Sequence, residues 1–128
     1  MGAYITVAGW LQLDQSLPME EIEGQLKAPV PGAAGLVTDQ QMGLYRDGWM
    51  IQPRSINSTR FVFFGAQIRT HALPYIRAQV EGLARLVVQT DDYAISPSGY
   101  FLLTEDGTHG IPETEWLIED GKVIDRVK

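Results

Sequence analysis

An α+β fold, a mostly antiparallel sheet with two helices packed on one face and a C-terminal β-meander, is predicted by three observations. Apolar and polar residues alternate near the N-terminus. A later segment repeats apolar residues at three and four positions. The last third sets short apolar runs on either side of turn dipeptides. At 128 residues the chain is expected to form one domain, 1–128, long enough to bury a core without staples.

Ile5, Val7, Leu11 and Leu13 alternate with Thr6, Ala8, Trp10 and Gln12, the period of a half-buried strand. Gly9 interrupts that strand and marks a bulge or the close approach of another backbone. Pro18 opens a short helix that places Glu20, Glu21 and Glu23 near the positive end of its dipole and Met19, Ile22 and Leu26 on one face. It ends near Lys27, before Pro29 and Pro31. Residues 28–41, rich in Pro, Gly and Ala, read as a surface loop. Asp47-Gly48 within 42–52 predicts a β-hairpin, because both positions of a two-residue turn require positive φ.

Residues 60–69 form the most apolar strand, with Val62, Phe64, Ala66 and Ile68 on one face. Phe61 and Phe63 lie on the other, a pattern that expects cover on both faces. Leu73, Ile76, Val80, Leu83 and Val87 make the core stripe of a helix over 72–87, with Arg77, Glu81 and Arg85 paired on its outer side. The remainder reads as four strands. Ser96-Pro97-Ser98-Gly99 turns between Tyr93-Ala94-Ile95 and Tyr100-Phe101-Leu102-Leu103, and Asp120-Gly121 closes a hairpin.

Charge is unevenly distributed. Between Asp91 and Asp120 stand eight carboxylates and no Lys or Arg, whereas Arg46, Arg54, Arg60, Arg69, Arg77 and Arg85 dominate the preceding stretch. The net charge of −6 argues against broad binding to nucleic acid or anionic membranes. The absence of Cys rules out disulfides, thiolate zinc sites and a cysteine nucleophile. The first residues lack the basic and apolar regions of a signal peptide, and no apolar run approaches the ~20 residues of a membrane helix, so a cytoplasmic location is expected. Gly2 to Thr6 loosely fits a myristoylation pattern but also reads as the entry to the first strand.

Motifs for familiar chemistry are missing: there is no phosphate-binding Gly-Lys-Ser/Thr, no Gly-x-Ser-x-Gly elbow and no His-x-x-x-His pair. His109, among Glu105, Asp106 and Glu113, has the surroundings of a general base or hard-metal ligand, or of a plain loop histidine. His71 reads as a capping or surface residue. Asp91-Asp92 reads as a turn whose side chains bond their own backbone, or as two oxygen ligands awaiting a third.

Met1-Gly2-Ala3-Tyr4, the acidic helix 17–22, Gly99-Tyr100-Phe101 and the hairpin 116–123 resemble the corresponding pieces of a small uncharacterised α+β family of actinobacteria and their phages. That resemblance implies a small phage-type or accessory protein, with no activity or site attached.

The leading expectation is a non-enzymatic interaction module. Its acidic face (Glu105, Asp106, Glu113 and Glu115), with Trp49 and Tyr100 as anchors, would bind a basic surface on a protein partner. No direct nucleic-acid or membrane contact, no cofactor, no metal and no catalytic residue are assigned. One alternative is a pocket between 28–59 and the sheet, in which Arg54, Arg60 or Arg69 holds an anionic ligand and His109 or Asp92 acts as base or metal ligand. The other is a homo-oligomer whose Arg-rich and acidic regions meet.

Overall fold

The computed structural model describes residues 4–105 and 113–128. Its centre is an antiparallel sheet of six strands in the order β2-β3-β1-β6-β7-β8. These are β1 (Tyr4–Asp14), β2 (Trp49–Ile51), β3 (Thr59–Arg69), β6 (Ser98–Glu105), β7 (Thr114–Glu119) and β8 (Lys122–Val127). A separate two-stranded sheet joins β4 (Val88–Gln89) to β5 (Ala94–Ile95). Among the described residues the three α-helices are α1 (Met19–Lys27), α2 (Asp39–Arg46) and α3 (Leu73–Ala84). The expected α+β architecture and C-terminal meander are present, the meander being β6-β7-β8.

Alternation along the strands decides which sheet face is buried. Ile5, Val7, Leu11 and Leu13 of β1 join Val62, Phe64 and Ile68 of β3, Phe101 and Leu103 of β6, and Trp116 and Ile118 of β7 in one core. Against it lie Ile22 and Leu26 of α1 and the stripe Ile76, Val80 and Leu83 of α3. Gly9 sits opposite both Phe64 and Phe101, and a Cβ there would come within 2.5 Å of the Phe101 ring. The glycine therefore serves the close approach of β6, letting the Phe101 ring lie across β1.

Gln79 of α3 holds the helical layer to the sheet. Its Oε1 accepts the Trp49 indole N–H at 3.1 Å, and its Nε2 donates to the Leu26 carbonyl at 3.1 Å. That carbonyl belongs to the last turn of α1, where no intrahelical donor remains.

Two expected hairpins are absent. Residues 39–46 are helical because Thr38 forms a capping box: its hydroxyl accepts the Gln41 N–H, and the Gln41 side chain accepts the Thr38 N–H. Tyr45 is thereby turned into the core, its hydroxyl accepting the Arg69 N–H at 3.1 Å. Asp47 ends α2 at φ −66°, and β2 pairs with β3. Gly48 instead provides room, since a Cβ would stand 2.8 Å from the Phe64 ring. Nor does Tyr93-Ala94-Ile95 turn back on β6, because Ala94 and Ile95 pair with Gln89 and Val88. By contrast Asp120 and Gly121, at φ 53° and 76°, make the β7–β8 turn with the positive φ that such turns demand.

The sheet edges differ. β2 is three residues long and is followed by Pro53, whereas β8 carries Lys122, Asp125 and Arg126. α3 ends at Ala84, short of the expected boundary, which leaves Val87 exposed.

Candidate functional site

Cover on both faces of β3 was the expectation from Phe61 and Phe63. Among the described residues all three helices lie on the core side, and the opposite face of the sheet is bare. Directly paired residues of antiparallel strands point to the same side, so one row can be followed across the whole sheet. It runs Met50, Phe63, Trp10, Tyr100, Leu117, Ile124, with one residue from each of the six strands. Every member is apolar or aromatic. Phe63 keeps 38% of its surface exposed, Ile124 40% and Met50 64%. Phe61 widens the row, its ring 5.7 Å from Trp10 and stacked 6.0 Å from Phe63. Ala8 and Leu102, paired in the adjoining row, extend it on the other side.

Three polar groups of this face form one bonded cluster. Tyr100 donates its hydroxyl hydrogen to Glu115, and the Arg126 Nε donates to the same carboxylate at 2.9 Å. The Tyr100 bond, reinforced by Arg126, holds the Glu115 carboxyl below its ordinary value of 4.5 despite its burial. The same bond to Glu115 raises the Tyr100 hydroxyl above 10.0. The charged strand residues facing this side are Asp14, Glu115 and Glu119 against Arg69, Lys122 and Arg126. Three carboxylates meet three cations, so the face is electroneutral on a chain of net charge −6.

The sequence-assigned residues distribute as follows. Tyr100 and Glu115 sit on the open face. Glu113 flanks it, accepting from Thr104 at 2.9 Å and pairing with Lys128 at 3.4 Å. Glu105 pairs with Ile5 and points to the core side. Trp49 is buried in the core, 4.9 Å from Phe64. Asp106 and His109 lie outside the described residues. The Arg set does not converge: Arg54 is exposed between β2 and β3, and Arg60 is buried on the core face. Arg69 lies on the open face nine residues farther along β3, with its guanidinium 4.8 Å over the Tyr4 ring. His71 is exposed beside the start of α3. Asp91 and Asp92 are exposed at the β4–β5 turn, where the Thr90 hydroxyl accepts the Asp92 and Tyr93 N–H groups.

Among the described residues no three His, Asp or Glu side chains gather as a metal site requires. No helix of the described residues is long and apolar enough to cross a membrane. A cavity of about 480 Å³ opens beside the start of α3, between Leu73, Leu103, Trp116 and Arg77. Its cation is already occupied. Arg77 lies 5.1 Å over Trp116 and donates to Asp125, Glu81 and the Val123 carbonyl. Burial pulls its pKa down, but the bonds to Asp125 and Glu81 outweigh it and raise the value above the ordinary one.

The open aromatic face was signalled in the sequence by the alternation of Trp10, Phe61, Phe63, Tyr100 and Leu117 with core residues. What the sequence does not display is that the helices all fall on the other side. Comparison with known proteins finds no matching family model, no matching curated protein and no matching solved structure.

Proposed function

We propose that this chain is a non-enzymatic interaction module that docks face to face with a second copy of itself through the open side of its sheet. The observation that carries the reading is the unbroken row from Met50 to Ile124 across all six strands. Met50, Phe63 and Ile124 are exposed and Trp10, Tyr100 and Leu117 half-buried between them, and apolar surface gathered in this way marks contact sites. Three arguments favour a second copy as the occupant.

Charge comes first. Two acidic chains repel wherever their net charge meets, and the open face is where three cations balance three carboxylates. Size comes next. Six strands about 4.8 Å apart span about 24 Å, and six residues along them run about 20 Å, a footprint of roughly 500 Å² in projection. That approaches one side of a standard interface, about 800 Å² of accessible surface per partner. Finally, two such sheets packed ~10 Å apart would form the core of a β-sandwich, a stable way of covering an apolar sheet face. Single-stranded nucleic acid also stacks on aromatic residues, but it requires cations that track the phosphates, and this face has no excess of them.

The acidic-face mode has less support, because Glu113 and Glu115 are already engaged by Lys128 and by Tyr100 and Arg126. Sedimentation equilibrium decides the matter. The expected result is a dimer at micromolar to tens-of-micromolar concentration, dissociated by Phe63→Lys while far-UV circular dichroism stays unchanged. A wild-type chain that is monomeric at the highest attainable concentration overturns the reading.

A further inference from the structure

A second cavity, of about 300 Å³, lies on the helical side, between α1, the end of α2 and the edge strand β2. Leu26, Trp49, Ile51 and Pro53 make its apolar wall, and Met19 closes one side. Lys27 and Arg46 stand in its lining with a single carboxylate, Glu23. Neither cation forms an ion pair among the described residues.

Behind Met19 stands a third cation. Arg60 pairs with Leu13 on the core face of β3 and keeps only 9% of its surface exposed. Its Nε has no hydrogen-bond partner, and its Nη1 reaches only the Met19 sulfur, at 3.9 Å. A guanidinium has five donors and normally meets a carboxylate or carbonyls when buried; a thioether is a weak acceptor. Two cations and one carboxylate therefore line a small apolar cavity, and a third cation, Arg60, stands behind its Met19 wall, in a chain that is otherwise acidic. The side chain between Arg60 and the cavity is a methionine, whose three rotatable bonds let it move aside.

We infer that this cavity binds a small amphiphilic monocarboxylate, with its apolar body against Trp49, Leu26 and Ile51 and its carboxylate held by Lys27, Arg46 and Arg60. The walls and the cations impose complementary requirements. A purely polar anion would leave the wall unused, and a neutral apolar molecule would leave the cations unpaired. At ~30 Å³ per water-sized group the volume admits about ten heavy atoms, which matches an eight-carbon carboxylic acid or an arylalkanoic acid. Carboxylate binding by a guanidinium is bidentate and charge-assisted, so the head group sets the affinity more than the chain does.

Titration with octanoate, and with 1-octanol in parallel, tests the assignment by nitrogen–proton correlation NMR. The Trp49 indole N–H, bonded to Gln79, is the reporter. Octanoate is expected to shift that resonance saturably, and 1-octanol to bind at least about tenfold more weakly, as loss of a charged hydrogen-bond partner implies. Arg46→Gln and Lys27→Gln, both at exposed positions, should each weaken octanoate while leaving the melting temperature unchanged. Arg60→Met should weaken octanoate about tenfold and raise the melting temperature, because it removes a buried guanidinium whose Nε is unpaired and whose Nη1 meets only a thioether. A Trp49 signal unmoved by octanoate, equal binding of octanol, or undiminished affinity in Arg46→Gln and Lys27→Gln would overturn the inference.

Discussion

At the scale of single residues, the Tyr100–Glu115–Arg126 cluster makes stability depend on pH from both sides. Glu115 binds its proton less tightly in the fold than in the unfolded chain. Its contribution is therefore present above the ordinary value of 4.5 and is lost as pH falls through the lowered folded value. Tyr100 binds its proton more tightly in the fold. Its contribution is present below 10.0 and is lost as pH rises through the raised folded value. Urea denaturation across pH should show both limbs. Glu115→Gln should flatten the acid limb specifically, since a neutral amide still accepts from Tyr100 but no longer titrates. The same scale shows how local chemistry can point two ways. Asp47-Gly48 and Asp120-Gly121 are the same dipeptide, yet only the second adopts positive φ at both residues. Its strands, with Glu119 paired to Lys122, have partners immediately on either side. At Asp47 a capped helix arrives first, and the glycine is used for its size.

Among the elements, α3 is the one on which the helical layer depends. Ile76, Val80 and Leu83 are fully buried, and Gln79 joins β2 and α1 through two hydrogen bonds. Gln79→Leu keeps most of the volume but strands the Trp49 N–H and the Leu26 carbonyl. With each buried unsatisfied group costing about 1–3 kcal/mol, a loss of about 2–6 kcal/mol is expected from chemical denaturation. Gln79→Glu should be destabilising too, because the carboxylate cannot donate to Leu26. β1, α1, β3, α3 and the β7–β8 hairpin were legible because each carries its own periodicity or punctuation. α2 was not, although Thr38 and Gln41 spell a capping box. Its eight residues follow a Pro- and Gly-rich stretch, and its only buried side chain is Tyr45. β5 was legible as a strand but its partner was not: Ser96-Pro97-Ser98-Gly99 has the composition of a turn, yet Ser98 and Gly99 belong to β6 while Ala94 and Ile95 pair with Gln89 and Val88. Such short elements take their conformation from what they pack against, which a linear pattern does not record.

For the whole molecule, what counts is how charge is divided between its two sides. With an electroneutral sheet face, the net −6 resides on the helical layer and the connecting segments. Two copies meeting face to face direct that charge outward, so the repulsion left between them acts over long range. Added salt screens it. Self-association should therefore strengthen modestly between 20 mM and 300 mM NaCl, as read by the sedimentation midpoint. Association through an acidic face and a basic one would weaken instead. Sequence alone could count the carboxylates but could not assign them to sides. Glu105 and Glu115 belong to one acidic run, yet β6 and β7 turn them to opposite faces.

The two margins of the sheet limit what such an assembly can become. Strand β2 offers three residues of backbone before a proline, and β8 spaces Lys122, Asp125 and Arg126 along its length. Neither margin is a good template for a neighbour's backbone. Growth sideways into ribbons is thus discouraged, while stacking through the open face covers the apolar row that would drive association. An assembly built that way is closed at two, and raising the concentration fills the population of pairs without seeding filaments.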